Sequence, residues 1–197
     1  MKVLSIDFDY IMYPCIKLYN NLCDGKENPT VTWNMIEQER GVEKFLCYDA
    51  NVLMEIAKVI KKNIKNGAKL IPINSHDEII QHLKNEKNIE LLNIDYHHDI
   101  IYHSEDINSL TDFEKYDCGN WVGYLQLNNF LKEYTWLKAP SSSLCTINLP
   151  DFHYNILGLK DFNSITDDYD CIFFCLSPQW VPYKYHHLYQ LIISLMQ

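Results

Sequence analysis

A chain of 197 residues, 47% of them hydrophobic, is long enough for one domain with a sizeable core. Its formal net charge of −9 argues against nucleic-acid binding, which takes clustered Lys and Arg on phosphates, and suits a metal or a cationic substrate better. Seven scattered Cys without a Cys-x-x-Cys pair read as reduced thiols of a cytoplasmic protein, and no apolar run approaches the ~20 residues of a membrane span.

Residues 2–8 alternate and are rich in apolar side chains: Val3, Leu4, Ile6 and Phe8. They predict a strand ending at Asp7 and Asp9, two acids whose spacing lets both face one way. Those acids also interrupt the apolar stretch that a secretory signal needs. Residues 14–34, with Pro14, Gly25, Pro29 and many Asn, read as an irregular excursion. From 49 to 66 the apolar residues Val52, Leu53, Ile56, Val59, Ile60 and Ile64 recur at three and four, which predicts an amphipathic helix stopped by Gly67. Residues 69–73 predict a short strand, followed by Asn74-Ser75-His76-Asp77 and a helix over 77–83 capped by Ser75 or Asn74.

After a polar turn at 85–88 comes LLNIDYHHDI, residues 91–100. Leu91, Leu92 and Ile94 predict a buried strand. If the extended conformation continues, Asp95, His97 and Asp99 point to one side. Two carboxylates and an imidazole gathered at the end of a buried strand are costly unless paired, and a divalent cation is the simplest compensation. Residues 101–118 read as a polar loop over this point and carry His103, Glu105 and Asp106. A helix is expected over 119–131 and strands over 134–137, 144–149 and 171–176. SPQWVP reads as a rigid turn and 183–196 as a closing amphipathic helix.

Strands alternating with helices, without repeats or a dividing linker, predict a single α/β domain over 1–197 with a mainly parallel sheet. Ligands of such sheets sit beyond the carboxyl ends of the strands. Three predicted strand ends carry acid or imidazole there: Asp7 with Asp9, His76, and Asp95 with His97 and Asp99.

These motifs have a family resemblance. DYHHD resembles the Asp-x-His-x-Asp motif of the arginase/ureohydrolase superfamily, SIDFDY resembles its Ser-x-Asp-x-Asp strand end, and NSHD resembles its isolated metal-binding histidine. CGNWVGYLQLNNFLKEYTWLKAP, with the later SPQW, resembles the branch that includes peptide arginases, which convert arginine within ribosomally made precursor peptides to ornithine and urea. In ordinary arginases the Asp-x-Asp strand comes after the Asp-x-His-x-Asp strand. Here it opens the chain, so a circular permutation is implied.

The resemblance implies a three-layer arginase-like fold with helices on both faces of the sheet, and two Mn²⁺ ions. One ion would take His76, Asp95, Asp99 and Asp7; the other would take His97, Asp95, Asp7 and Asp9, with Asp95 and Asp7 bridging. Oxygen-rich ligands with a few imidazoles suit Mn²⁺. The leaving amine needs a proton, for which His98 and His103 are candidates. The guanidinium needs a carboxylate partner, with Glu78, Glu105, Asp106 and Asp49 all open. Asn120 and Trp121 could orient or cover substrate, or Trp121 could anchor a helix. The expected partner is an arginine-containing precursor peptide, with neither nucleic acid nor membrane.

Three other functions compete. A haloacid-dehalogenase-type phosphatase would use Asp7 as nucleophile with Mg²⁺, but Tyr10 and Ile11 stand where its motif continues otherwise, and DYHHD is left without a role. A zinc deacylase related to the histone deacetylases needs an extra residue before the second acid. A non-catalytic binding protein has no physical reason to keep a full set of buried acids.

Overall fold

The computed structural model describes residues 1–14, 28–44, 46–101, 116–142, 153–165 and 168–196. Its centre is a six-stranded sheet in the order β4-β8-β1-β5-β6-β7, every pair parallel. The strands are β1 (Lys2–Asp7), β4 (Lys69–Ile73), β5 (Ile89–Asp95), β6 (Leu131–Lys138), β7 (Asn155–Leu157) and β8 (Cys171–Cys175). The three central strands, β8, β1 and β5, are near-continuous apolar runs, as strands covered on both faces must be. In register, Leu4 lies between Leu92 and Ile172.

Alternation divides these runs between two cores. Leu4, Ile6, Ile94 and Phe174 face one side, where they pack with helix α2 (Ala50–Lys65) and helix α5 (His186–Met196) through Ile56, Ile60, Tyr189 and Ile192. Val3, Leu91 and Phe173 face the other, against α3 (Ile79–Leu83) and α4 (Trp121–Leu127). The molecule is therefore a three-layer α/β structure, as the alternation of strands and helices predicts. Each fully buried side chain such as Ile56 contributes about 1.5–3 kcal/mol of transfer free energy.

Several expectations need correction. Within the supposed irregular excursion, 29–34 open helix α1 (Pro29–Arg40); Asn28 caps it through the Val31 N–H, and Pro29 occupies its first turn, where a missing N–H costs nothing. Residues 15–27 lie outside the described chain. A small antiparallel pair, β2 (Met12–Pro14) with β3 (Leu46–Tyr48), was not legible in the pattern. Helix α4 stops at Leu127 rather than 131, because Asn129 takes a left-handed conformation (φ 59°) and turns the chain directly into β6. The expected strand over 144–149 lies outside the described residues. No helix among the described residues is long and apolar enough to cross a membrane.

Candidate metal centre

At the carboxyl ends of β4, β1 and β5 the chain turns sharply, and the turns gather the predicted ligands. Asp7 is the last residue of β1; its Oδ1 accepts the N–H of Asp9 (3.0 Å) and caps the short 3-10 turn Phe8–Ile11. Asp9 thus enters through a turn, not through continued extension. His76 opens the 3-10 turn that follows β4. Asp95 ends β5, and its Oδ1 accepts the His97 N–H (2.8 Å). Asp99 adopts φ 51°. The expectation that extension carries Asp95, His97 and Asp99 to one side is corrected: extension stops at Asp95, and two local bends bring the other residues round.

The result is a compact cluster of Asp7, Asp9, His76, Asp95, His97 and Asp99. The Nδ1 of His76 lies 2.9 Å from Asp99 Oδ2, 3.2 Å from Asp95 Oδ2 and 3.5 Å from Asp7 Oδ2. The Nδ1 of His97 lies 3.1 Å from Asp9 Oδ2 and 3.7 Å from Asp95 Oδ1. Asp95 therefore offers one oxygen to each imidazole. Two groups of donors share it, His76/Asp95/Asp99 and Asp9/Asp95/His97, and within each group the ligand atoms lie within 4.8 Å of one another. Position in the sheet explains the meeting: β1 lies beside β5, so residues far apart in sequence end on adjacent strands.

Like charge and burial set the titration of the cluster. Burial, with the charge of Asp95 beside it, pushes Asp99 up to about 7 and Asp9 up to about 6. Burial and the Asp9 charge raise Asp7 well above the usual carboxylate range. Burial works the same way on Asp95, but hydrogen bonds and attraction from His76 and His97 outweigh it and hold Asp95 well below that range. Burial disfavours both imidazolium ions, yet both imidazoles are raised well above their ordinary value. For His76 the groups responsible include Cys175, Asp7, Asp95 and Asp99; for His97 they are Asp9 and Asp95.

Four carboxylates against two imidazoles are a surplus of negative charge in a dry place. Two divalent cations would balance four carboxylate charges and leave both imidazoles neutral, as ligands must be. The donor set, oxygens with two ring nitrogens, suits a hard to borderline ion such as Mn²⁺. Residues and charge fit a metal pair.

Supporting contacts hold the donors in place. The Trp121 indole N–H donates to Asp99 Oδ2 (2.7 Å), Ser177 Oγ donates to Asp7 Oδ2 (2.5 Å), and Asn93 Nδ2 donates to Asp95 Oδ2 (3.0 Å). Ser5 Oγ sits 3.2 Å from His76 Nε2 and leaves Nδ1 to face the acids. Trp180 lies against His97, ring centroids 4.7 Å apart. Of these only Trp121 was singled out by sequence. Ser5 and Asn93 carried a readable signal, as polar residues inside otherwise apolar strands; Ser177 and Trp180 carried only their place in the SPQW turn.

The remaining candidates fare differently. His98 is packed, not poised: its Nδ1 accepts the Ile100 N–H (3.2 Å), its ring stands edge-on to Trp136, and burial with the neighbouring His97 charge lowers it to about 4. Trp121 is fully buried and its indole N–H donates to Asp99. Asn120 is buried and accepts the Asp117 N–H. Glu78 Oε1 accepts the N–H groups of Asn74 and Ser75, and Asp49 caps α2 through Asn51 and Val52, so both carboxylates have structural duties. His103, Glu105 and Asp106 lie outside the described residues.

Comparison of the chain with family models, with curated proteins and with solved structures yields no match.

Proposed function

We propose that this protein is a binuclear, manganese-dependent hydrolase of the arginase type, acting in the cytoplasm on arginine within a peptide and releasing urea. The observation that carries the reading is Asp95, whose two oxygens face two separate donor groups at the ends of adjacent central strands. Two divalent ions, when bound, supply a nucleophile from water at neutral pH. Asp7, Asp9, His76, Asp95, His97 and Asp99 would hold the pair, and Trp121, Ser177 and Asn93 fix the carboxylates among them. Water adds to the guanidinium carbon and the bond to the side-chain nitrogen breaks; the water's oxygen stays in urea, and its protons pass to the departing nitrogen, which leaves as the ornithine ammonium.

His97 is the opening to this centre. Its side chain is 17% exposed, while Asp7, Asp9, His76, Asp95 and Asp99 are buried. Tyr96 and Trp180, both partly exposed, flank it. A planar guanidinium is well suited to stack on such rings. The acidic chain attracts a peptide cation, and with Glu78 and Asp49 occupied as caps, recognition through these rings fits better than through either carboxylate. The phosphatase alternative fits less well: a nucleophilic Asp7 would have to be open, yet Ser177, the Asp9 N–H and His76 surround it.

The test is metal analysis of purified protein together with urea release from free arginine and from arginine-containing peptides, manganese present. Two equivalents of manganese and faster release from peptide are expected. Release from free arginine in clear preference would refute the peptide substrate, and no urea from either would refute the arginase reading.

A further inference from the structure

One buried nucleophile has no place in a hard-ligand metal pair. Cys175 ends β8, the strand between β4 and β1, and is fully buried. Its neighbours in the strand pack among aliphatic and aromatic side chains, but its sulfur faces the cluster. Asp7, His76 and Cys175 bring one ligand atom each within 4.8 Å of one another. The sulfur also lies 3.3 Å from Ser177 Oγ, the hydroxyl that donates to Asp7 Oδ2. Carboxylate, imidazole and thiol thus converge from three adjacent strands. Three protein ligands with a position left over for water is the donor count of an open zinc-type site. A thiolate favours a softer cation than Mn²⁺.

We infer that Asp7, His76 and Cys175 form a mixed site for a thiophilic divalent cation of the Zn²⁺ class, which overlaps the manganese pair and excludes one of its ions. The regulatory half of this inference rests on the proposed function; the site itself does not. A tetrahedral thiolate site and the oxygen-rich site draw on the same two side chains, His76 and Asp7, so occupancy of one competes with occupancy of the other. Binding transfers the Cys175 thiol proton to solvent and forms the metal–sulfur bond, with no change of oxidation state. Ser177 keeps its hydroxyl on Asp7 and remains close to the sulfur, so the turn does not need to move. A rise in thiophilic metal then switches the hydrolase off, and a chelator selective for that metal restores it.

The experiment is titration of the metal-free full chain with Co²⁺, a spectroscopic stand-in for Zn²⁺ whose thiolate bonds give an intense near-ultraviolet charge-transfer band. One equivalent of band-forming Co²⁺ is expected, and the band should vanish in both Cys175→Ser and Cys175→Ala, with folding checked by circular dichroism. Wild-type protein that binds Co²⁺ without a sulfur band overturns the site, as does a band that survives in both variants. Zn²⁺ outranks Mn²⁺ at oxygen and nitrogen donors as well, so the exclusion is read as a difference: one equivalent of Zn²⁺ should release more manganese from wild type than from Cys175→Ala, and equal release from both overturns the exclusion. The two readings fail separately. Protein that holds two manganese ions and releases urea but shows no sulfur band sinks this inference alone. Protein with the band but no manganese binding sinks the hydrolase reading and leaves the mixed site standing.

Discussion

The two ends of the same strands handle charge in opposite ways. At the amino ends, Lys2 of β1 pairs with Asp168, and Glu90 of β5 pairs with Lys132 of β6; these side chains are between 32% and 59% exposed. Each acid there has a cation beside it and water around it, an arrangement that contributes little to stability and costs little. At the carboxyl ends, Asp7 of β1 and Asp95 of β5 are buried together with Asp9 and Asp99. Like charges have been gathered and dried, which no folding requirement asks for. One cavity of about 220 Å³ opens at the quiet end, beside Lys2, Glu90 and Tyr169, and shares no residue with the acid–imidazole cluster. The electrostatic cost of burying these acids is what singles out the carboxyl ends as the candidate site.

The largest expected effect comes from the residue that joins the two halves of the cluster. Asp95→Asn keeps the shape and removes one charge from both donor groups. Loss of both manganese ions and of all detectable urea release is expected, read by metal analysis and a urea assay. Variant protein that retains two equivalents would show that Asp95 does not bridge. Next comes Trp121→Phe, which keeps the ring in its core and deletes only the donor to Asp99. Second-layer hydrogen bonds of this kind typically tune metal affinity by about 10–100-fold. Equilibrium dialysis should find that loss for one ion; unchanged affinity for both would reduce Trp121 to a core anchor.

Much of this contrast was readable before any coordinates. Apolar runs ending in Asp7, His76 and Asp95 mark both the strands and the end at which chemistry gathers, because buried parallel strands need no polar face until they stop. The order of strands was not readable: nothing local in SIDFDY says that it lies between CIFFC and LLNID. Nor were the turns. Asp9 and Asp99 arrive through a 3-10 turn and a left-handed residue, and a period-two pattern describes neither. In sequence Cys175 is indistinguishable from any apolar strand residue, and Glu78 from the other acids open as a guanidinium partner; its capping bonds are a property of the fold. Short polar side chains with local backbone duties are hard to tell from functional ones by type alone.

The pH response should sharpen the comparison further. In metal-free protein, Asp9 and Asp99 have folded values of about 6 and about 7, above the 3.8 of an unperturbed carboxylate. The fold favours their protonated forms, so the stability they contribute is full below that unperturbed value and is lost as pH rises through 6 and 7. His76 and His97, also raised, lose their contribution in the same direction as pH climbs through their folded values. Asp95 works oppositely, favouring the fold above its unperturbed value and losing that contribution only in acid. The melting temperature of metal-free protein should therefore fall between about pH 5 and pH 8. Manganese takes the deprotonated ligands, so its stabilisation should grow across that window, towards about 4 kcal/mol per ion at a thousandfold excess over Kd. Calorimetry at several pH values, with and without manganese, reads both trends, and a manganese increment that is flat with pH would contradict proton-linked binding.

The smallest effect belongs to the other end of the sheet. Lys2→Ala removes the cation that Asp168 pairs with, at a place partly open to solvent. Water and salt already screen that pair. The Lys2 backbone N–H keeps its bond to Asp170 (2.7 Å), so the edge of β1 is held without the side chain. Thermal denaturation should not separate Lys2→Ala from wild type, and manganese content and its pH trend should be unchanged. A shift in metal affinity would mean that charge at the amino ends is felt at the carboxyl ends, across the full length of β1. The contrast between the two ends would then be one of degree, set by the field of the whole sheet and not by the turns that gather Asp7, Asp9, Asp95 and Asp99.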